Sequence, residues 1–182
     1  NLSHYSSENM FYDAGIIFIL YALLAFLNPV YALGMDAALF KFFNSSDYSQ
    51  KQVVSSSLLS VVISSFCLSL FLFFCSSLFI TFLNLDYNWV KIVACILFFD
   101  SISSRLLILL RLFNLPIYFL SIGLINIISS LLLNIILIHN YKMGEEGAVY
   151  ALLLTSVIQF IALLPILYRH LSIKQYSVAL SK

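Results

Sequence analysis

Asp100, Ser104 and Arg111 stand four and seven residues apart in a run of chain that is otherwise almost wholly apolar. On an α-helix those offsets return to nearly one face. A carboxylate, a hydroxyl and a guanidinium would then form a polar stripe about 16 Å long. Asp100 lies nine residues past Lys91, about 14 Å along the same run, and Arg105 projects to a different side. Ionised groups at the centre of a bilayer cost about 2.5–3.5 kcal/mol each, so they face a bundle interior, a partner or a water-filled path. The stripe is therefore a candidate lumen wall for a polar solute. The alternative is that Asp100 and Arg105 satisfy neighbouring helices within a packed bundle.

Two further places put polar groups among apolar ones. Asp36 and Lys41 follow Gly34, a residue that lets another backbone come close. Asp36 falls at a depth where Arg105 or Arg111 can meet it, as an ion pair fastening two runs together, as a substrate contact, or as both. Asn126, Ser130 and Asn134 recur at i, i+4 and i+8, Thr155 and Gln159 at i and i+4, and Ser56, Ser60 and Ser64 at i, i+4 and i+8. Each set marks one helix face, which either joins helices through hydrogen bonds of under about 1 kcal/mol each or lines an aqueous path.

The usual groups of soluble-enzyme chemistry are scattered. His4, His139 and His170 sit outside or at the ends of the apolar runs, so local spacing builds neither a metalloprotease motif nor a triad. The five glycines make no phosphate-cradling loop; Gly144 and Gly147 bracket Glu145 and Glu146 in a turn. Cys67, Cys75 and Cys95 lie inside apolar runs without a second ligand, which indicates neither a disulfide framework nor a zinc site. No metal, no cofactor and no enzymatic activity are expected.

The elements that must position these groups are set by hydrophobicity. The 182 residues are 62% hydrophobic and 9% charged with a net charge of +1, and the mean hydropathy is +1.03. A soluble domain carries about 25% charged residues and could not bury so much apolar surface. The small net charge also leaves no basic field for nucleic acid. Five apolar stretches are long enough to cross a hydrocarbon core of about 30 Å: residues 14–43, 52–83, 89–112, 116–139 and 147–168. They must be helices, because lipid offers the backbone no partner and the alternation of barrel strands is missing. The expected architecture is an all-α polytopic transmembrane bundle forming a single unit. Short connections make consecutive helices antiparallel neighbours. The first two stretches exceed the core thickness and must tilt, kink or emerge into water, with Pro29 as the expected kink because it removes one helical hydrogen bond.

Charge sets the orientation. Lys41, Lys51, Arg105, Arg111, Arg169, Lys174 and Lys182 gather at one side of the membrane, Lys91 and Lys142 at the other. The side richer in Lys and Arg is expected to be cytoplasmic, so the chain begins outside and ends inside with Lys182. Because Asn1 is not an initiator Met and no signal sequence precedes the first stretch, the chain reads as an internal fragment lacking an earlier crossing.

The segment Tyr31-Ala32-Leu33-Gly34-Met35-Asp36-Ala37-Ala38-Leu39-Phe40-Lys41-Phe42 resembles the aromatic, Gly, acidic, Ala, basic, Phe signature of the second helix in bacterial polysaccharide-biosynthesis flippases of the multidrug/oligosaccharidyl-lipid/polysaccharide flippase superfamily. Arg111 followed by Asn114 and Pro116 is similar to that family's connection between helices four and five. Gly144-Glu145-Glu146-Gly147-Ala148 resembles its approach to helix six. The family usually has Arg where Lys41 stands, so bidentate phosphate contact is not carried over to that position.

The resemblance implies that the chain corresponds to helices two to six of the amino-terminal half of a flippase of 12–14 helices, with two bundles facing a central cavity. It implies translocation of lipid-linked oligosaccharide, of the undecaprenyl-pyrophosphate type, across the bacterial inner membrane for O-antigen of lipopolysaccharide, capsule or exopolysaccharide assembly, with polysaccharide polymerase machinery as a further partner. Arg105 or Arg111 would meet phosphate, the Asn and Ser faces sugar hydroxyls, Asp100 a coupling proton or cation, and Pro29 and Gly34 would flex. The rivals are a drug or metabolite exporter of the same superfamily, with a more apolar or acidic cavity, and a non-transporting assembly subunit whose polar groups only pack.

Overall fold

The computed structural model describes residues 7–32, 35–43, 50–76 and 87–170. Every regular element among them is helical. In chain order they are α1 (Ser7–Ala32), α2 (Met35–Phe43), α3 (Gln50–Phe74), α4 (Tyr87–Leu112), α5 (Pro116–Asn134), a π-helical segment (Ile135–Asn140) continuing α5, and α6 (Gly144–His170). Five stretches have the length and hydropathy to cross a membrane: Gly15–Phe43, Gln52–Phe74, Asn88–Leu112, Pro116–Asn140 and Glu146–Pro165. The chain is thus a multi-pass, all-α membrane protein.

The stretch expected over 14–43 corresponds to the candidate span Gly15–Phe43, whose described residues belong to α1 and α2. Pro29 does not end α1, which continues through it to Ala32. A proline removes only its own donor, and the flanking turns keep theirs. Gly34, the second expected point of flexing, lies outside the described residues. The stretch expected over 52–83 is helical from Gln50 to Phe74; its end from residue 77 on is also outside them.

Two turns show how local chemistry makes neighbours antiparallel. Between α4 and α5, Asn114 takes a left-handed conformation at φ 54°, which Asn tolerates better than most residues. The Leu115 N–H then donates back to the Leu110 carbonyl at 3.0 Å, and Pro116 opens α5 where no intrahelical donor is needed. Before α6, Lys142 and Gly144 have φ of 51° and 58°. Gly147 follows where a Cβ would stand 3.2 Å from the Leu137 carbonyl. A residue without a side chain lets α6 start this close to the π-helical segment without displacing it.

α4 is the axis of the bundle, packing against α3 and α6 most extensively and also against α1, α5 and α2. Of its membrane window 56% is buried, against 6% for α5 and its continuation. Leu120, Leu124, Ile127 and Leu131 of α5 instead present an exposed apolar face, which costs nothing in hydrocarbon. Two apolar clusters flank the middle of α4, one around Leu24, Val93, Leu97 and Val149, the other around Leu39, Ile102, Leu106 and Leu163. Polar contacts cross between them. Ser65 and Ser101 lie 2.7 Å apart, and since Ser101 donates to the Phe98 carbonyl, Ser65 donates to Ser101. The Tyr31 hydroxyl is 3.0 Å from Ser69, which donates to the Ala94 carbonyl.

Candidate functional site

Asp100 is the fourteenth of the 26 residues of α4, about 20 Å from either helix end. It opens on a cavity of about 300 Å³ between α1, α4, α5 and α6, lined by Asn28, Asp100, Ser104, Asn126, Ser130, Leu152, Thr155, Ser156 and Gln159. Each helix contributes by its own periodicity. Asp100 and Ser104, and Asn126 and Ser130, are i, i+4 pairs; Leu152, Thr155, Ser156 and Gln159 follow i, i+3, i+4, i+7 on one face of α6. The volume has room for about ten waters at roughly 30 Å³ each.

The hydrogen bonds inside the cavity are neutral but for one partner. Ser156 donates to the Asp100 carboxylate. Asn126 Nδ2 donates to Gln159 Oε1, tying α5 to α6. Thr155 Oγ1 donates to the Ala151 carbonyl of its own helix at 2.7 Å. Among the described residues that line it, none is Lys, Arg or His. A second cavity of about 570 Å³, between α2 and α3, is lined by Leu39, Phe42 and Val53 and, on the α3 side, by Gln52 and by Ser56 and Ser60 of the expected serine row.

Arg105, five residues beyond Asp100, is rotated about 140° around α4 and faces away from the Asp100 cavity. Its side chain is 2% exposed and pairs with Asp36 of α2, whose side chain is 47% exposed. Nη2 also donates to the Ala32 carbonyl at 3.2 Å, while Nε has no protein partner. Ala32 is the last described residue of α1, and Asp36 lies in the first turn of α2, where a carboxylate suits the helix dipole. One guanidinium serves the end of one helix and the start of the next, which its planar fork permits and an ammonium would do poorly.

The candidate residues therefore separate. Asp100, Ser104 and Asn126 come together in the cavity. Asp36 and Arg105 form the anticipated ion pair between the first and third spans. Arg111 does not extend the lumen wall as expected: although on nearly the same face as Asp100, it lies at the far end of α4, exposed, with its guanidinium carbon 4.2 Å from the Phe119 ring centroid. Lys41 is exposed beside Phe42 and lines no part of the cavity. Asn134 turns back to donate to the Ser130 carbonyl at 2.8 Å, so only the first two members of the α5 stripe face the cavity.

The serine contacts of α3 lie beside the row expected from periodicity. Ser56 and Ser64 donate to carbonyls of their own helix; the hydroxyls that reach across to other helices belong to Ser65 and Ser69. Ser156 and Asn28 join the lining although their sequence context does not single them out. The i, i+3, i+4, i+7 pattern around Thr155 and Gln159 carries a signal for Ser156, whereas Asn28 reads only as the neighbour of a proline.

Comparison of the chain with protein-family models, with curated proteins and with solved structures finds no match. The class defined by the fold itself is a multi-pass helical membrane protein with a polar cavity at the middle of its central helix.

Proposed function

We propose that this protein is a non-enzymatic membrane transporter that translocates lipid-linked oligosaccharide or polysaccharide precursors across the bacterial cytoplasmic membrane. The observation that carries the reading is the Asp100 cavity: carboxylate, hydroxyl and carboxamide groups kept at mid-membrane, where packing alone would favour apolar side chains. The sequence resemblance to polysaccharide flippases supplies the substrate class. Amides and hydroxyls suit sugar hydroxyls, while the polyprenyl tail stays in lipid. With no cation in the cavity lining, the pyrophosphate would be met at the more cationic end of the bundle, where Arg111 and Lys41 are exposed.

One observation favours the exporter reading in part. Arg105 is engaged with Asp36 and Arg111 lies outside the cavity, which leaves it acidic and thus suited to a cationic solute. The two readings separate in cells. Asn126→Leu and Ser104→Leu fill the cavity with lipid-compatible side chains. On the flippase reading, surface polysaccharide falls while the protein level in the membrane holds; on the exporter reading, polysaccharide is normal and efflux of a cationic dye falls. Normal values for both would leave the structural-subunit reading. Reporter fusions after Asn44 and after Asn84 test the orientation, with cytoplasmic and external signals expected in that order.

A further inference from the structure

The cavity between α2 and α3 has one apolar wall and one wall rich in hydroxyls. Ala38, Leu39 and Phe42 of α2 face Val53, Ser56 and Ser57 of α3. At about 570 Å³ it is nearly twice the size of the Asp100 cavity. Ser57 is 7% exposed, and its buried hydroxyl has no protein partner. A serine within a helix ordinarily satisfies itself on the carbonyl one turn back. For Ser57 that carbonyl is Val53, which besides its helical N–H already accepts the Ser56 hydroxyl at 3.1 Å, so both of its lone pairs are engaged. An O–H left unbonded among apolar groups is costly. Ser57 therefore calls for an acceptor that no described residue supplies.

Charge at the same end of the bundle indicates which molecule brings that acceptor. Lys41 is exposed, with Nζ 6.0 Å from the centroid of the Phe42 ring that forms part of the cavity wall. α3 carries Lys51 as its only charged residue. Asp36 of α2 is already paired with Arg105, and the connection between α2 and α3 adds only Asp47 to the sequence. We propose that this cavity holds one acyl chain of an anionic phospholipid, whose ester carbonyl accepts from Ser57 and whose phosphate meets Lys41. Basic pockets between membrane helices suit anionic headgroups, and the acyl chain matches Leu39, Phe42 and Val53. A glycerolipid carries ester carbonyls just below its phosphate. The isoprenoid tail of a polyprenyl lipid carries no acceptor, so Ser57 favours the glycerolipid. The bound lipid joins α2 to α3, apart from the Asp100 cavity, and its test needs no transported substrate.

The test is the melting of the intact protein, purified in detergent and followed through its single tryptophan, Trp89, with phosphatidylglycerol or phosphatidylcholine of the same acyl chains added. Phosphatidylglycerol is expected to raise the melting temperature more, since a ligand that binds only the folded state stabilises it. Without lipid, Ser57→Ala melts no lower than the wild type, because it removes a hydroxyl that bonds to no protein group. With phosphatidylglycerol its rise is smaller than that of the wild type. Lys41→Gln needs about fivefold more phosphatidylglycerol for the same rise, the share of one basic residue at an anionic surface. Ala38→Phe narrows the cavity and loses the response. Ser64→Ala removes a hydroxyl committed to the Val61 carbonyl and keeps the response in full.

Equal rises with the two phospholipids in the wild type, or a Ser57→Ala response equal to that of the wild type, overturns the proposal. So does a larger rise with polyprenyl phosphate than with phosphatidylglycerol, which would assign the cavity to an isoprenoid chain. For variants that melt poorly, native mass spectrometry of the phosphatidylglycerol retained by the protein decides the same question. Less lipid retained by Ser57→Ala and Lys41→Gln than by the wild type supports the site; equal retention removes it.

Discussion

Two acidic side chains of this membrane protein meet opposite fates. Asp36 is neutralised: Arg105 pairs with it, and the same guanidinium caps the last carbonyl of α1. Asp100, on the same helix as Arg105 and only five residues away, has a hydroxyl partner and an open, polar cavity. An ion pair whose guanidinium also holds the end of the described part of α1 serves the architecture. A carboxylate beside open polar space at mid-membrane is costly as architecture, which is why the proposed function rests on it. Charge at depth is thus not one signal, and what distinguishes its two meanings is whether the partner belongs to the protein.

The largest expected effect probes the closed locus. Arg105 is 2% exposed and Asp36 47%, so the two halves of the pair are not equivalent. Asp36→Ala leaves a buried guanidinium with only the Ala32 carbonyl, and breaking a buried pair in this sense costs about 3–5 kcal/mol. Arg105→Met leaves a half-exposed carboxylate that water can reach, at a cost of about 1–3 kcal/mol. The double variant should be more stable than Asp36→Ala alone, because no uncompensated charge remains. Melting in detergent checks the order; a greater loss in Arg105→Met than in Asp36→Ala would show that capping Ala32, and not the ion pair, is the main role of Arg105.

Asp100→Asn probes the open locus and has the contrary signature. The amide keeps the shape and can still accept from Ser156, so the protein level should hold and the stability should stay within about 1 kcal/mol of the wild type. Surface polysaccharide should nevertheless fall severalfold or more. Equal losses of polysaccharide and of protein would make Asp100 another packing residue and erase the distinction between the two loci.

How far this is legible in the sequence depends on which force decides. Apolar run length announces membrane crossing, because nothing competes with it, and five spans can be read directly. Neighbour choice cannot be: α4 and α5 have window hydropathies of 2.0 and 2.3, yet 56% of one is buried and 6% of the other. In lipid, Leu gains little by facing protein, so hydropathy carries no inside-outside signal. The Asp36–Arg105 pair is legible from depth and charge. The cavity is legible in its i, i+4 pairs, but the place of Arg111 is not, because helical phase says which face a residue occupies, not whether the cavity extends to it. The serine row is legible only in part: Ser56 and Ser60 line the second cavity, yet Ser56 and Ser64 also bond carbonyls of their own helix, so a periodic row need not be a helix interface.

The same argument ranks the cross-helix serine contact of α3 and α4 next. Ser65 donates to Ser101 within a buried layer, so Ser101→Ala leaves the Ser65 hydroxyl without its acceptor while Ser65→Ala removes only a donor. The former should cost about 1 kcal/mol and the latter less, with the double variant close to neutral. On the proposed translocation reading, both should leave surface polysaccharide unchanged.

Arg111 closes the series with the smallest effect and the finest distinction. Its stack on Phe119 at an exposed hairpin contributes about 0.5–1 kcal/mol, and Arg111→Lys, which keeps the charge but loses the planar stack, should lose most of that. If the cationic end of α4 also meets the pyrophosphate of a lipid-linked sugar, export should follow charge rather than stability. Arg111→Lys would then retain most export and Arg111→Gln would not, at the same melting temperature. Export tracking the melting temperature in both variants would assign Arg111 to the hairpin alone.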